Sequence, residues 1–230
     1  MKTLVLISAN AEWQAVKEIL APPDIQSTPM GETFDRLSRA FQRDRLLTFF
    51  HGGWGKISAA ATTQYAIDHW HPDLLVNLGT CGGFEGRIAR GAILLVTKTI
   101  VYDIMEQMSD PDEAISHYST DLDLTWLRAT YPHPVQPGLL VSADRDILAG
   151  DIPLLVEKYA AIAADWESGA IAWVAARNEV RCLILRGVTD LVGASGGEAY
   201  SDISIFHQNT RKVMKTLLEQ LPDGLAQIQG

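Results

Sequence analysis

The stretch Leu74-Leu75-Val76-Asn77-Leu78-Gly79-Thr80-Cys81-Gly82-Gly83 decides the fold. Its first five residues form a short run that is almost entirely apolar, which is typical of a strand buried on both faces of a sheet. Three glycines then fall within five positions, and this density predicts a turn where the backbone can approach a ligand closely. In open α/β sheets, ligands bind in the crevice beyond the carboxyl ends of such strands.

The same alternation of strand and helix patterns extends in both directions from this stretch. Apolar runs predict strands at residues 3–8, 45–50, 92–97, 139–142, 160–164 and 182–188. Helical patterns predict helices at residues 12–20, 57–69, 152–158 and 167–177, and a closing helix to about residue 221. Residues 24–45 predict a hairpin or irregular excursion, and the polar residues 98–120 predict a loop that covers a ligand. The alternation predicts one three-layer α/β domain over residues 1–230.

Composition excludes several classes of protein. The 230 residues carry 19 Lys and Arg against 28 Asp and Glu, a net charge of −9, so no basic surface is expected to bind nucleic acid or an anionic membrane. A hydrophobic fraction of 47% argues against disorder. The two cysteines lack the spacing of a zinc site, and no apolar run is long enough for a membrane span. We therefore expect a soluble cytoplasmic protein with no metal.

Four polar residues, Glu12, Thr80, Glu167 and Asp190, each follow a predicted strand. Taken singly, each has an ordinary explanation: an acid in the first turn of a helix, a turn hydroxyl or a cap. Taken together, they predict a ligand crevice at one edge of the sheet. Three carboxylates without metal-ligand spacing indicate acid/base chemistry at a glycosidic centre, with no cofactor. The loop at residues 52–56 is not a phosphate-binding motif of the nucleotide hydrolases, because the required glycine-lysine spacing is missing.

Six motifs then occur in order along the chain. They are GGWGKISAA at residues 52–60, PDLLVNLGTCGG at 72–83, RGAI at 90–93, VSAD at 141–144, ADWESGAIA at 164–172 and RGVTD at 186–190. Together they make the chain resemble the purine/uridine nucleoside phosphorylase superfamily, and within it most closely the 5′-methylthioadenosine/S-adenosylhomocysteine nucleosidases. The resemblance implies a mixed central sheet in an α/β/α arrangement.

The resemblance also implies roles for the carboxylates. Glu12 would activate the attacking water, Glu167 would bind the ribose hydroxyls, and Asp190 would protonate purine N7 as the base departs. Such an acid needs a raised pKa and hence a largely desolvated site. Further residues expected to contact the substrate are Gly53, Trp54, Gly79, Thr80, Trp166 and Phe206. Trp54 has an alternative interpretation as a partly buried structural residue, and Phe206 as part of an amphipathic helix.

The choice between hydrolysis and phosphorolysis depends on groups that bind phosphate. The related phosphorylases carry an arginine where this chain has Asn77, and a basic residue after the first strand, where this chain reads Ser8-Ala9-Asn10-Ala11-Glu12 and has no basic residue. A dianionic phosphate would find little to neutralise it, so the prediction is hydrolysis. A phosphorylase, a futalosine-type hydrolase and a nucleoside-binding protein without turnover remain as alternatives.

Three positions depart from the family pattern and leave the substrate open. Trp166 replaces a methionine beside the sugar, Asp146 stands where an aromatic ring usually covers adenine, and Trp54 alters the wall near the 5′ end. The expected partners are a small nucleoside substrate and further copies of this chain, as a homodimer or larger homo-oligomer. The resemblance implies that Tyr102 and Asp103 belong to a lid or to a contribution to a partner subunit's site, and the alternative is that they are plain loop residues.

Overall fold

The computed structural model describes residues 1–38, 45–127, 131–200 and 203–228. Six helices are described: α1 (Asn10–Leu20), α2 (Gly55–Trp70), α3 (Pro111–His117), α4 (Ile152–Tyr159), α5 (Ser168–Arg177) and α6 (Ile203–Ala226). The strands are β1 (Thr3–Ile7), β2 (Gln26–Thr28), β3 (Gly31–Ser38), β4 (Arg45–His51), β5 (Leu74–Phe84), β6 (Ile93–Val101), β7 (Ser119–Asp121), β8 (Gln136–Ser142), β9 (Ala161–Asp165), β10 (Arg181–Gly193) and β11 (Gly196–Gly197). None of the described helices is both long and apolar enough to cross a bilayer.

The described strands form one mixed sheet. Strand β1 lies between β4 and β5 and is parallel to both. Strand β5 continues the sheet through parallel pairing with β10 and antiparallel pairing with β9. Because β10 also pairs with β6, β6 with β8, and β8 with β9, these five strands close on themselves. The mixed central sheet predicted from the resemblance is confirmed, and its closure at one end is a feature that the sequence did not reveal.

Both faces of the sheet are buried, which explains the continuous apolar runs. Alternate side chains of β1 point to opposite faces, so Val5 and Ile7 join one apolar cluster while Leu4 and Leu6 join another. The first cluster includes residues of α1 and α6, and the second includes residues of α2 and α5. Helices therefore cover the sheet on two sides, as the predicted three-layer arrangement requires.

The glycine-rich segment after residue 78 is strand and not turn. Strand β5 runs on to Phe84, and β10 runs on to Gly193, because the two strands pair along their whole length. Glycine serves close packing here: an added Cβ at Gly83 would lie 2.7 Å from Cγ2 of Ile88. The prediction of a turn was wrong because glycine marks close approach as well as chain reversal.

The predicted loop at residues 98–120 instead contains the end of β6, helix α3 and the start of β7, and none of its residues is among the described lining residues of the cavity that holds Glu12 and Asp190. Other boundaries differ less. The predicted excursion at residues 24–45 contains the antiparallel hairpin β2–β3, and β3 pairs with β4; residues 39–44 of that prediction lie outside the described part of the chain. Helix α6 continues beyond the predicted end, through Pro222 to Ala226. Burial of Leu221 and Leu225 in the first apolar cluster accounts for the extension.

Candidate active site

A cavity of about 790 Å³ opens where β1, β5, β9 and β10 deliver polar residues. Seven of the nine predicted site residues line it: Glu12, Trp54, Thr80, Trp166, Glu167, Asp190 and Phe206. Gly53 and Gly79 are not among its described lining residues. A second cavity of about 630 Å³, lined by residues that include Met1, Arg45 and Trp70, contains none of the predicted site residues.

Glu12 lies in the first turn of α1 and is almost fully buried. Its Oε1 accepts hydrogen bonds from the backbone N–H of Thr80 at 2.6 Å and from the Thr80 hydroxyl at 2.8 Å. Its Oε2 accepts the N–H of Ala9 at 3.1 Å. Both interpretations of Glu12 therefore apply, since it caps the helix and also presents a fixed carboxylate to the cavity.

A buried ion pair beneath this carboxylate was not among the predicted site residues. The Nε of Arg186 donates to Asp165 Oδ2 at 2.9 Å, and both side chains are almost fully buried. Arg186 Nη2 donates to Asn77 Oδ1 at 2.8 Å. Burial by itself lowers the pKa of Arg186, but the carboxylates of Asp165 and Glu12 raise it. An arginine inside an otherwise apolar strand is the sequence signal by which this pair can be found.

Gly79 supplies the space for this arrangement. An added Cβ at Gly79 would overlap Nη1 of Arg186 and lie 2.8 Å from Oε1 of Glu12. The absence of a side chain at Gly79 thus leaves room for Arg186 and Glu12 to lie close together. Gly53 plays a different part: its φ of +75° belongs to the turn that leads into α2.

Glu167 immediately precedes α5 and is buried. Its Oε1 accepts the backbone N–H of Gly55 at 3.1 Å, which ties the start of α2 to the cavity. Burial, with the nearby charge of Asp165, raises the pKa of Glu167 to about 8. Burial thus favours the protonated form of this side chain, which can both donate and accept hydrogen bonds.

Asp190 lies at a bulge in β10. The pairing register with β5 shifts between Val188 and Asp190, leaving Thr189 as the extra residue. The Thr189 hydroxyl donates to Asp190 Oδ1 at 2.7 Å. Burial raises the pKa of Asp190, although this hydrogen bond opposes the effect. The result is a carboxyl group that favours its protonated form more than an exposed aspartate does.

Trp54 and Trp166 form the aromatic wall of the cavity. Their rings stack with centroids 5.0 Å apart and planes 22° apart. Trp54 is 63% exposed, so its interpretation as a partly buried structural residue was wrong. Phe206 also lines the cavity, from α6.

Other candidates from the sequence take no direct part. Cys81 lines the cavity, but burial raises the pKa of its thiol far above the usual range, which rules out a ready thiolate. Neither Tyr102 nor Asp103 is among the described lining residues. Tyr102 instead lies under the guanidinium of Arg145, and Asp103 pairs with Lys56.

Acidic residues outnumber basic ones in the described lining of the cavity. Five acidic residues line it, namely Glu12, Asp146, Asp165, Glu167 and Asp190. The cationic or potentially cationic side chains among the described lining residues are Arg145, which pairs with Asp151 at 2.6 Å, and His207.

The family model of the phosphorylase superfamily matches residues 3–221. A 5′-methylthioadenosine/S-adenosylhomocysteine nucleosidase of Buchnera aphidicola is 24% identical over 189 residues, which cover 74% of this chain and 79% of that protein. A Helicobacter pylori MTAN mutant with 5′-methylthioadenosine in its active site superposes with a TM-score of 0.78 at 15% identity, covering 96% and 97% of the two chains. A futalosine hydrolase mutant of Helicobacter pylori gives a TM-score of 0.78 at 14% identity, with coverage of 99% and 100%. The chain belongs to the phosphorylase superfamily.

Proposed function

We propose that this protein hydrolyses the N-glycosidic bond of a purine nucleoside, releasing the free base and a ribose derivative. The observation that carries the proposal is the meeting of Glu12, Glu167 and Asp190 in one cavity, each in a different environment. Breaking this bond builds positive charge on the sugar and negative charge on the base. Groups of different protonation state at the two ends can stabilise both charges.

Glu12 is assigned the role of general base. Thr80 and Ala9 fix its two oxygens, so the carboxylate is held in one orientation before substrate arrives. Arg186 supports it from behind without occupying the site, since Arg186 is fully buried. A water placed against Glu12 would lose its proton to the carboxylate while its oxygen attacks the anomeric carbon.

Asp190 is assigned the role of general acid. Its raised pKa favours the protonated carboxyl that can donate to the base nitrogen as the glycosidic bond breaks. Glu167, with a pKa near 8, is assigned to the ribose hydroxyls, because a protonated carboxyl can donate to one hydroxyl and accept from another. Thr80 and the two stacked tryptophans complete the proposed substrate contacts.

The charge of the cavity supports water over phosphate as nucleophile. A phosphate would have to approach the side chains of Glu12 and Asp146, and Arg145 is already paired with Asp151. Asn77 is buried and neutral, and its amide donates to the carbonyl of Leu6 at 2.9 Å. Phosphate binding normally relies on charge-assisted bonds from arginine or lysine. The nucleosidase names of the sequence relatives agree with hydrolysis and suggest a 5′-methylthioadenosine-like or S-adenosylhomocysteine-like substrate.

A panel of purine nucleosides, with and without phosphate in the buffer, tests the proposal. The panel includes adenosine, 5′-methylthioadenosine, S-adenosylhomocysteine, inosine and futalosine, and free base is quantified by chromatography. We expect base and free ribose derivative in equal amounts from at least one adenine nucleoside without phosphate. Cleavage that depends strictly on phosphate would show that the protein is a phosphorylase. Selective cleavage of futalosine would show that it is a futalosine-type hydrolase. Binding of a nucleoside without cleavage of any member of the panel would show that it is a nucleoside-binding protein.

We further propose that residues 1–230 act as one domain, in the cytoplasm, and as a homodimer or larger homo-oligomer. The single continuous sheet supports one domain, and the two free buried cysteines agree with a reducing compartment. Large apolar side chains near the Lys56–Asp103 pair, including Ile57 and Met105, are each 84% exposed and offer a surface for a second copy. Light scattering after size-exclusion chromatography measures the oligomeric state directly.

A further inference from the structure

Tyr200 is an aromatic residue of the cavity that has no part in the chemistry proposed above. Tyr200 lines the cavity and is 50% exposed. Burial, with the nearby carboxylates of Asp146 and Asp190, raises the pKa of its phenol to about 12. Tyr200 is therefore a neutral ring near the residue assigned to protonate the leaving base.

The Tyr200 ring is fixed from two sides. Its hydroxyl donates to the backbone carbonyl of Ile147 at 3.0 Å, and Ile147 also lines the cavity. One part of the ring lies directly on Gly197, where an added Cβ would be 2.7 Å from ring atom Cε1. The absence of a side chain at Gly197 lets the ring lie against the backbone, so Tyr200 is positioned before any ligand binds.

The segment that carries Tyr200 is itself anchored to β10. Glu198 accepts the N–H of Leu191 at 2.8 Å and pairs with Arg90. The backbone N–H of the next residue, Ala199, opposes the rise in the pKa of Asp190. One short segment thus borders Asp190 and presents an aromatic ring to the same cavity.

We propose that Tyr200 supplies the aromatic face against which the base of the nucleoside stacks while Asp190 protonates it. The inference rests on the proposed function and deepens it. Trp54 and Trp166 stack on each other beside Glu167, at the sugar end, and the ring contact of Phe206 is with His207. Asp146, at the position where the related nucleosidases usually have an aromatic ring, contributes a carboxyl group to the cavity. Of the described rings in the cavity, Tyr200 alone is hydrogen-bonded to the wall within electrostatic reach of Asp190.

Stacking on an aromatic face is tolerant of base identity, because every base presents a π surface. Tyr200 is therefore expected to set the affinity for the aromatic base, and the polar groups around it to set which base is preferred. Because stacking exists before and during bond cleavage, loss of the ring should raise KM more than it lowers kcat.

The test measures binding separately from turnover. The parent is Asp190→Asn, in which cleavage is slowed, and titration calorimetry gives Kd for the best nucleoside of the panel. Tyr200→Leu in this parent is expected to weaken binding by about 5- to 150-fold, the range that corresponds to stacking of about 1–3 kcal/mol per base. Tyr200→Phe keeps the ring and loses only the hydroxyl anchor, so we expect a loss of about fivefold or less.

Two further variants separate ring placement from general damage. The new methyl group in Gly197→Ala would displace the Tyr200 ring from the backbone of residue 197, so this variant should bind the nucleoside more weakly although Tyr200 is still present. Tyr118→Leu removes a tyrosine that is 40% exposed and not among the cavity-lining residues, and should leave Kd unchanged. Equal Kd values for Tyr200→Leu and Tyr118→Leu in folded proteins would overturn the inference alone. Failure of the Asp190→Asn parent and of the wild type to bind any purine nucleoside would overturn the proposed function and the inference together.

Discussion

Replacing Gly79 with alanine places a methyl group between the two most tightly held charges of the site. The new Cβ would overlap Nη1 of Arg186 and lie 3.0 Å from its Cζ and 2.8 Å from Oε1 of Glu12. The guanidinium cannot retreat without lengthening its bonds to Asp165 and Asn77, at 2.9 and 2.8 Å. Disrupting a buried ion pair costs about 3–5 kcal/mol. For a chain of this size, about 2–4 °C per kcal/mol gives a fall in Tm of about 6–20 °C.

Urea unfolding followed by circular dichroism measures this loss. Gly82→Ala on the same strand is the matched control, because its Cβ would meet only the ends of two flexible side chains, Ile147 at 3.1 Å and Val192 at 3.5 Å. We expect the control to lose about 1 kcal/mol, the lower end for overpacking. A Gly79→Ala free energy of unfolding within about 1 kcal/mol of the control would refute the described packing of Arg186 against Glu12.

Two further predictions concern Glu167 and Trp54. Burial raises the pKa of Glu167 from 4.5 to about 8, so the folded state favours the protonated form and loses stability as pH rises between those values, by up to about 1.4 kcal/mol per pH unit. Glu167→Gln should remove the part of the pH-dependent stability loss that Glu167 causes. Equal slopes of Tm against pH from 5 to 8 for the variant and the wild type would contradict the raised pKa of Glu167. Trp54→Ala removes a ring of the cavity wall, and loss of an aromatic contact of about 0.5–1.5 kcal/mol with the substrate should raise KM about 2- to 12-fold. The lost stacking on Trp166 should lower Tm by no more than about 6 °C. An unchanged KM would exclude Trp54 from the substrate wall.

The order of strands and helices could be predicted from the sequence because buried strands leave continuous apolar runs. The run at residues 74–78 is an example, and both faces of that strand are covered. Two of the carboxylates could also be located, because Glu12 comes five residues after the end of β1 and Glu167 two residues after the end of β9. Local signals failed where distant packing decides the outcome. The glycines of β5 indicated a turn, yet pairing with β10 keeps them extended.

The support beneath the site depends on contacts between residues far apart in the chain. Arg186 meets Asn77 and Asp165 across three strands, and no local pattern specifies that meeting. The position of Tyr200 also depends on a distant contact, because its hydroxyl donates a hydrogen bond to the carbonyl of Ile147, 53 residues earlier. Closure of the sheet through β5, β10, β6, β8 and β9 likewise requires knowledge of pairing that periodicity does not carry.

The central claim is that Glu12 and Asp190 act as base and acid in one hydrolytic site. The most direct measurement is the single-turnover rate of base release without phosphate, for wild type, Glu12→Gln, Asp190→Asn and the surface control Asp112→Asn, which is not a cavity-lining residue. We predict that each of the first two variants loses about 10²- to 10⁴-fold in rate while remaining folded, and that the control keeps the wild-type rate. A wild-type rate in either folded site variant would contradict the account.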